Sequence, residues 1–161
     1  MLRNNIVFAF LFTSISAFLF NKHSKMNQNK QSLQDSFSGD PSLLHGDPSF
    51  VLNTSSDLGS DKDKIMIEIS NAMAEILEKP LSYMCVGIND NMDMIWGGNK
   101  ESKCGLGTLT CIGQINLENN EKMQAKLTEI LSDYIPADKF YVTYVDVSRE
   151  NTGYNGKTFA R

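Results

Sequence analysis

Cysteine is scarce in this chain of 161 residues, and the little there is does not pair. Cys85, Cys104 and Cys111 are an odd number with no C-x-x-C spacing, which argues against a disulfide framework and against a zinc site. Three buried thiols are the expectation. Basic clusters are missing too: the net charge is −4, so nothing points to nucleic acid as a partner. Long hydrophobic runs are absent as well. The apolar stretch that ends at Phe20 falls short of the roughly 20 residues a membrane-spanning helix needs. What remains, with 41% hydrophobic and 21% charged residues, is enough for one ordinary core plus extra material at one end.

That extra material is N-terminal. Arg3 precedes the apolar run Ile6-Val7-Phe8-Ala9-Phe10-Leu11-Phe12 and the small-residue segment Thr13-Ser14-Ile15-Ser16-Ala17. A charged start, a short apolar middle and small residues for cleavage are the layout of a signal peptide over residues 1–17, with a membrane anchor as the plainer alternative. Residues 18–47 turn to Asn, Gln, Ser and Lys and hold too little apolar surface to offset their ordering entropy, so a disordered leader or transit segment is expected. Ser16-Ala17-Phe18-Leu19 also resembles the Ala-Phe junction of bipartite plastid-targeting leaders in algae with complex plastids. The leader therefore predicts entry to the secretory pathway, with the protein secreted or delivered to a plastid, and no membrane partner once the signal is removed.

From Pro48 onward the periodicities become readable. Ser49 to Thr54 reads as a strand, although a proline stands at its threshold. Ser60 with Asp63 opens a helix whose inner face carries Ile65, Ile69, Met73 and Ile76, and Pro80 stops it. Tyr83 to Ile88 reads as a second strand. The grammar then repeats: a strand from Leu106 to Ile112, then a helix capped by Asn119 or Asn120, with Met123, Leu127, Ile130, Leu131 and Tyr134 inward. Pro136 ends that helix, and a strand runs from Phe140 to Val147. The economical reading is an α/β (α+β) fold of two tandem βαβ units, forming a four-stranded sheet with two helices on one face. Both faces of the last strand look apolar, with Tyr141, Val145 and Val147 on one side and Phe140, Val142 and Tyr144 on the other. No third helix exists to cover the second face, so a symmetric oligomer is the expected cover, against the blander reading of a mildly apolar surface.

Several short stretches, in this order and spacing, resemble the macrophage migration inhibitory factor and D-dopachrome tautomerase family. They are Pro48-Ser49-Phe50-Val51-Leu52-Asn53-Thr54, Lys79-Pro80 with Tyr83, Trp96-Gly97-Gly98, Ile112-Gly113, Phe140-Tyr141-Val142 and Gly153-Tyr154-Asn155 with Thr158-Phe159. The resemblance spans Pro48 to Phe159 and implies a domain over 48–161 assembled as a homotrimer. It also implies why a strand nearly fifty residues in looks like a beginning: in that family the mature protein begins with this proline, whose free amine is the catalytic base. Lys79 then matches the lysine that holds a substrate carboxylate, and the amide of Ile112 a backbone donor. Tyr141 matches a tyrosine supplied by the neighbouring subunit, and Tyr154 and Phe159 fall where aromatic residues line the pocket. Without the resemblance, Lys79 reads as a cation at a helix end, Tyr141 as sheet packing, Trp96 as a packed loop anchor and Pro48 as a loop proline.

Departures from the family pattern bear on function. Thr143 stands where several animal members have asparagine, and Tyr154 where they have tryptophan. Cys104-Gly105-Leu106-Gly107 lacks the second cysteine of the C-x-x-C that some members carry, so thiol–disulfide chemistry is not expected. No methionine precedes Pro48, so a protease must remove Asp47. The sequon Asn53-Thr54-Ser55 is expected to stay unmodified, because the resemblance puts Asn53 at the end of an interior strand. The resemblance implies a cofactor-free, metal-free keto–enol tautomerase, of phenylpyruvate tautomerase or L-dopachrome isomerase type. Its substrate would be a small aromatic 2-oxo acid or a dopachrome-like compound. The alternative is a secreted, cytokine-like trimer with a blocked Pro48 and a protein receptor as its partner.

Overall fold

The computed structural model of the protein describes residues 48–160. The signal peptide and leader expected over 1–17 and 18–47 lie outside the described residues, as does Arg161. Two βαβ units follow one another. The first is β1 (Ser49–Thr54), α1 (Lys62–Ile76) and β2 (Cys85–Asn89); the second is β3 (Gly105–Cys111), α2 (Leu117–Ile130) and β4 (Phe140–Asp146). Pairing is parallel within each unit and antiparallel between β1 and β3, giving the sheet order β2-β1-β3-β4. β1 is therefore an interior strand, as the reading of Asn53 required.

Period-two alternation sends Phe50, Leu52 and Thr54 of β1 to the helix side, where they meet Ile65, Ile69 and Met73 of α1 and Met123 and Leu127 of α2. Burying each such large apolar side chain contributes about 1.5–3 kcal/mol. Gly107 of β3 is needed here because a Cβ would stand 2.8 Å from the Phe50 ring. The opposite face carries Val51 at 43%, Leu106 at 46% and Tyr141 at 65% exposure, and no described element covers it.

The structure differs from the sequence reading in local detail, and α2 ends at Ile130, well before Pro136. The Ser60–Asp63 capping box does not form. A 3-10 turn over Gly59–Asp61 leads into α1, with the Asp61 amide donating to the Leu58 carbonyl at 3.1 Å. The Asp61 carboxylate instead accepts from the Tyr134 hydroxyl at 2.5 Å. α2 begins earlier than expected because Asn116 caps it, its side-chain oxygen accepting from the Asn119 amide at 3.0 Å. β2 starts at Cys85 rather than Tyr83, since Leu81–Tyr83 is a 3-10 turn launched by Pro80. The three-buried-thiols expectation fails for Cys85, which is exposed on an edge strand while Cys104 and Cys111 are buried.

Sequence reading missed one element. β5 (Gly153–Tyr154) and β6 (Lys157–Thr158) form a hairpin across Asn155 (φ 49°) and Gly156 (φ 77°). The signal was available: Asn-Gly between two β-prone residues is the favoured two-residue hairpin turn.

Candidate functional site

Chain direction brings the first candidate residues together. β1 runs away from Pro48 and α1 returns antiparallel to it, so the C-terminal end of α1 falls at the Pro48 end of the sheet. β3 is antiparallel to β1, so its last residues arrive at the same end: Ser49 pairs Thr110, and Ile112 follows two residues later. Pro48 is buried, and its carbonyl accepts from the Cys85 amide at 3.0 Å.

Lys79 reaches this end through a specific helix termination. Leu77 caps α1, Glu78 takes a left-handed conformation (φ 52°), and the Lys79 amide donates to the Ala74 carbonyl at 3.1 Å. This is a Schellman closure with a glutamate where glycine is usual. The helix thus ends at Ile76, four residues before Pro80, and the chain turns Lys79 inward. Only 4% exposed, its ammonium donates to the Ile112 carbonyl at 2.9 Å. A helix-end cation pointing into water is not what the structure contains. The Ile112 carbonyl is presented by a turn with Gly113 at φ 71°, whose amide donates to Asp146 Oδ1 at 2.9 Å. Cys111 lies beside Lys79, and burial pushes its thiol above the usual range against the opposing pull of that ammonium.

Tyr141 and Thr143 are not part of this cluster. Tyr141 pairs with Leu106, which in turn pairs with Asn53 at the far end of β1. Five residues separate that level from Pro48, about 17 Å along the strands. Thr143 is exposed on the same uncovered face as Tyr141. Tyr154 and Phe159 do come together: their rings stack with centroids 5.6 Å apart and planes at 14°, carried by the C-terminal hairpin. Trp96 is half-buried and lies against Tyr141 rather than anchoring its loop in the core, with centroids 4.6 Å apart. Among the described residues no three His, Cys, Asp or Glu side chains gather closely enough to hold a metal ion, and no helix is long and apolar enough to cross a membrane.

The fold and this cluster define a tandem βαβ protein with a proline at the head of an interior strand and a buried lysine at the same sheet end. The family model for macrophage migration inhibitory factor matches residues 48–160, and the chain belongs to that family. It is 31% identical over 114 residues to the macrophage migration inhibitory factor homolog of Brugia malayi, covering 70% of this chain and 98% of the homolog. It is likewise 31% identical over 115 residues to the factor of Rattus norvegicus, covering 70% and 99%. The solved structure of the Trichinella spiralis factor superposes with a TM-score of 0.62 at 33% identity, covering 69% of this chain and 99% of that one. The Prochlorococcus marinus homologue gives 0.65 at 25% identity, covering 69% and 98%. The matched part of this chain, about seven tenths of it, spans these relatives almost end to end.

Proposed function

We propose that this chain, once cleaved to begin at Pro48, is a cofactor-free keto–enol tautomerase of phenylpyruvate-like or dopachrome-like compounds, working as a homotrimer. The observation that carries this reading is the buried Lys79 ammonium on the Ile112 carbonyl, at the sheet end where Pro48 begins β1. A cation withdrawn from water beside the head of a strand suits a small carboxylate far better than it suits solvent. Support for the trimer comes from the uncovered sheet face and from Tyr141, which is too far from its own Pro48 to share a site with it. The signal-like residues 1–17 support entry to the secretory pathway.

The chemistry follows from the nitrogen. In the uncut chain the Pro48 nitrogen is an amide, its lone pair delocalised into the Asp47 carbonyl, and cannot accept a proton. Cleavage after Asp47 makes it a secondary amine. That amine takes the proton from the carbon α to the substrate carbonyl, and the proton returns at the oxygen end of the conjugated system, so keto and enol forms interconvert without a redox change. Lys79 holds the substrate carboxylate, the Ile112 amide donates to the substrate, and Tyr141 and Thr143 of a neighbouring copy close the pocket. The stacked Tyr154 and Phe159 line it.

The test is direct. A chain starting at Pro48 should turn over phenylpyruvate about 10²–10⁴-fold faster than residues 1–161, the range a positioned general base contributes. Pro48→Gly should keep part of the activity through its primary amine, while an alanine added before Pro48 should abolish it. Equal turnover by cut and uncut chains would refute the role of Pro48 and favour the reading as a cytokine-like trimer.

A further inference from the structure

Trp96, the sole tryptophan of the chain, sits in the long connection between β2 and β3, in a segment of unusually regular build. Trp96 and Asn99 exchange backbone hydrogen bonds, Trp96 N–H to Asn99 at 3.2 Å and Asn99 N–H to Trp96 at 3.0 Å. Between them Gly97 (φ 58°) and Gly98 (φ 80°) make a tight turn with both central residues left-handed, a conformation glycine adopts without steric cost. Outside this bridge Lys100 Nζ meets Asp93 Oδ1 at 3.0 Å, and the Asn99 side chain accepts from the Glu101 amide at 2.9 Å. The indole is thus mounted on a closed turn. It faces Tyr141, ring centroids 4.6 Å apart with planes tilted by 39°.

Tyr141 stands on an edge strand, and within its own chain its ring is 65% exposed, with the Trp96 indole against it. Contact with an indole carried on a hydrogen-bonded turn narrows the rotamers open to that ring. We propose that Trp96 is a positioning residue for Tyr141, holding the phenol ring in the orientation with which it lines a neighbouring copy's pocket. This rests on the tautomerase reading given above. Affinity for a ligand that needs one rotamer falls with the fraction of molecules holding it, so loss of the indole raises the apparent dissociation constant without altering the reacting atoms. An aromatic pair of this kind corresponds to roughly a two- to tenfold change in such a constant.

The experiment uses chains beginning at Pro48 and phenylpyruvate as the probe. Trp96→Leu should raise KM by roughly two- to tenfold with kcat retained, and Trp96→Phe, which keeps an aromatic face, should restore KM. In a Tyr141→Ala background Trp96→Leu should change KM no further, because the ring it positions is gone. An unchanged KM in Trp96→Leu overturns the inference, as does an effect that persists undiminished in the Tyr141→Ala background. If the unsubstituted chain beginning at Pro48 is itself inert, the tautomerase reading falls and this inference falls with it. An active parent with an indifferent Trp96→Leu variant sinks only the inference.

Discussion

Lys79 Nζ lies 2.9 Å from the carbonyl oxygen of Ile112, joining the segment just past the C-terminus of α1 to the residue that follows β3. These residues are 33 positions apart and belong to different βαβ units. Their contact closes the sheet end at which Pro48 begins β1. It depends on Glu78 accepting a left-handed conformation, since a helix continuing through Glu78 would not deliver Lys79 inward.

Lys79→Met keeps the length of the side chain and removes its charge. We expect KM for phenylpyruvate to rise about ten- to a hundredfold, with a smaller change in kcat, because a charge holding the carboxylate acts on ground and transition states alike. The Ile112 carbonyl loses a donor, so stability should drop by about 1–2 kcal/mol in denaturant titration. An unchanged KM would return Lys79 to a purely structural role.

Pro48 and Tyr141 of one chain stand at opposite ends of the sheet, so complementation between chains is expected. A chain with an extra alanine before Pro48 and a Tyr141→Ala chain should each be weak at low phenylpyruvate. Refolded together, they should recover part of the parent activity, because some sites then combine a free Pro48 with an intact Tyr141. Sedimentation of the same mixture should give three times the chain mass. A monomer, or a mixture no better than its components, contradicts a shared site.

Asp90 accepts from Lys62 Nζ at 2.7 Å and from the Leu58 amide at 3.3 Å, tying the loop after β2 to the entry of α1. The Lys62 hydrogen bond holds its carboxyl below the ordinary value of 3.8. A carboxyl whose folded pKa is depressed adds stability above its unfolded pKa and loses it as pH falls through the folded one. Asp90→Asn should therefore cost about 1 kcal/mol near neutrality. That difference should shrink as pH drops below 3.8, read by thermal unfolding across the acid range. A deficit that does not vary with pH would count against the ion pair.

Cys104 and Cys111 are buried, and burial also keeps Cys111 protonated, whereas Cys85 is exposed. Thiol titration of the native protein should find at most one reactive cysteine, and that one should vanish in Cys85→Ser. All three should react after denaturation. Two or more fast thiols in the native state would contradict the packing of β3.

Much of the fold was legible because its signals are local. Ser49–Thr54 reads as a strand and is one with those bounds, and the α1 positions Ile65, Ile69 and Met73 that share a helical face all pack in the core. Alternation of period two and spacing near 3.6 need only neighbours along the chain. Boundaries slipped where short-range hydrogen bonding competed. Asn116 outbid Asn119 as a cap, and Pro80 diverted Tyr83 into a 3-10 turn. The family stretches, carried in order from Pro48 to Phe159, also named the candidate site from the sequence alone.

Sequence by itself thus determined the two βαβ units, their helical faces and the residues to watch. Tertiary structure alone decided what those residues meet. Lys79 is buried on Ile112, not solvated at a helix end; Tyr141 lies about 17 Å along the strands from its own Pro48, with Trp96 against its ring. Cys85 falls on an exposed edge. The physical reason is strand order: β1 and β3 pair antiparallel, which turns the end of one unit toward the beginning of the other, and no periodicity within either unit encodes that pairing.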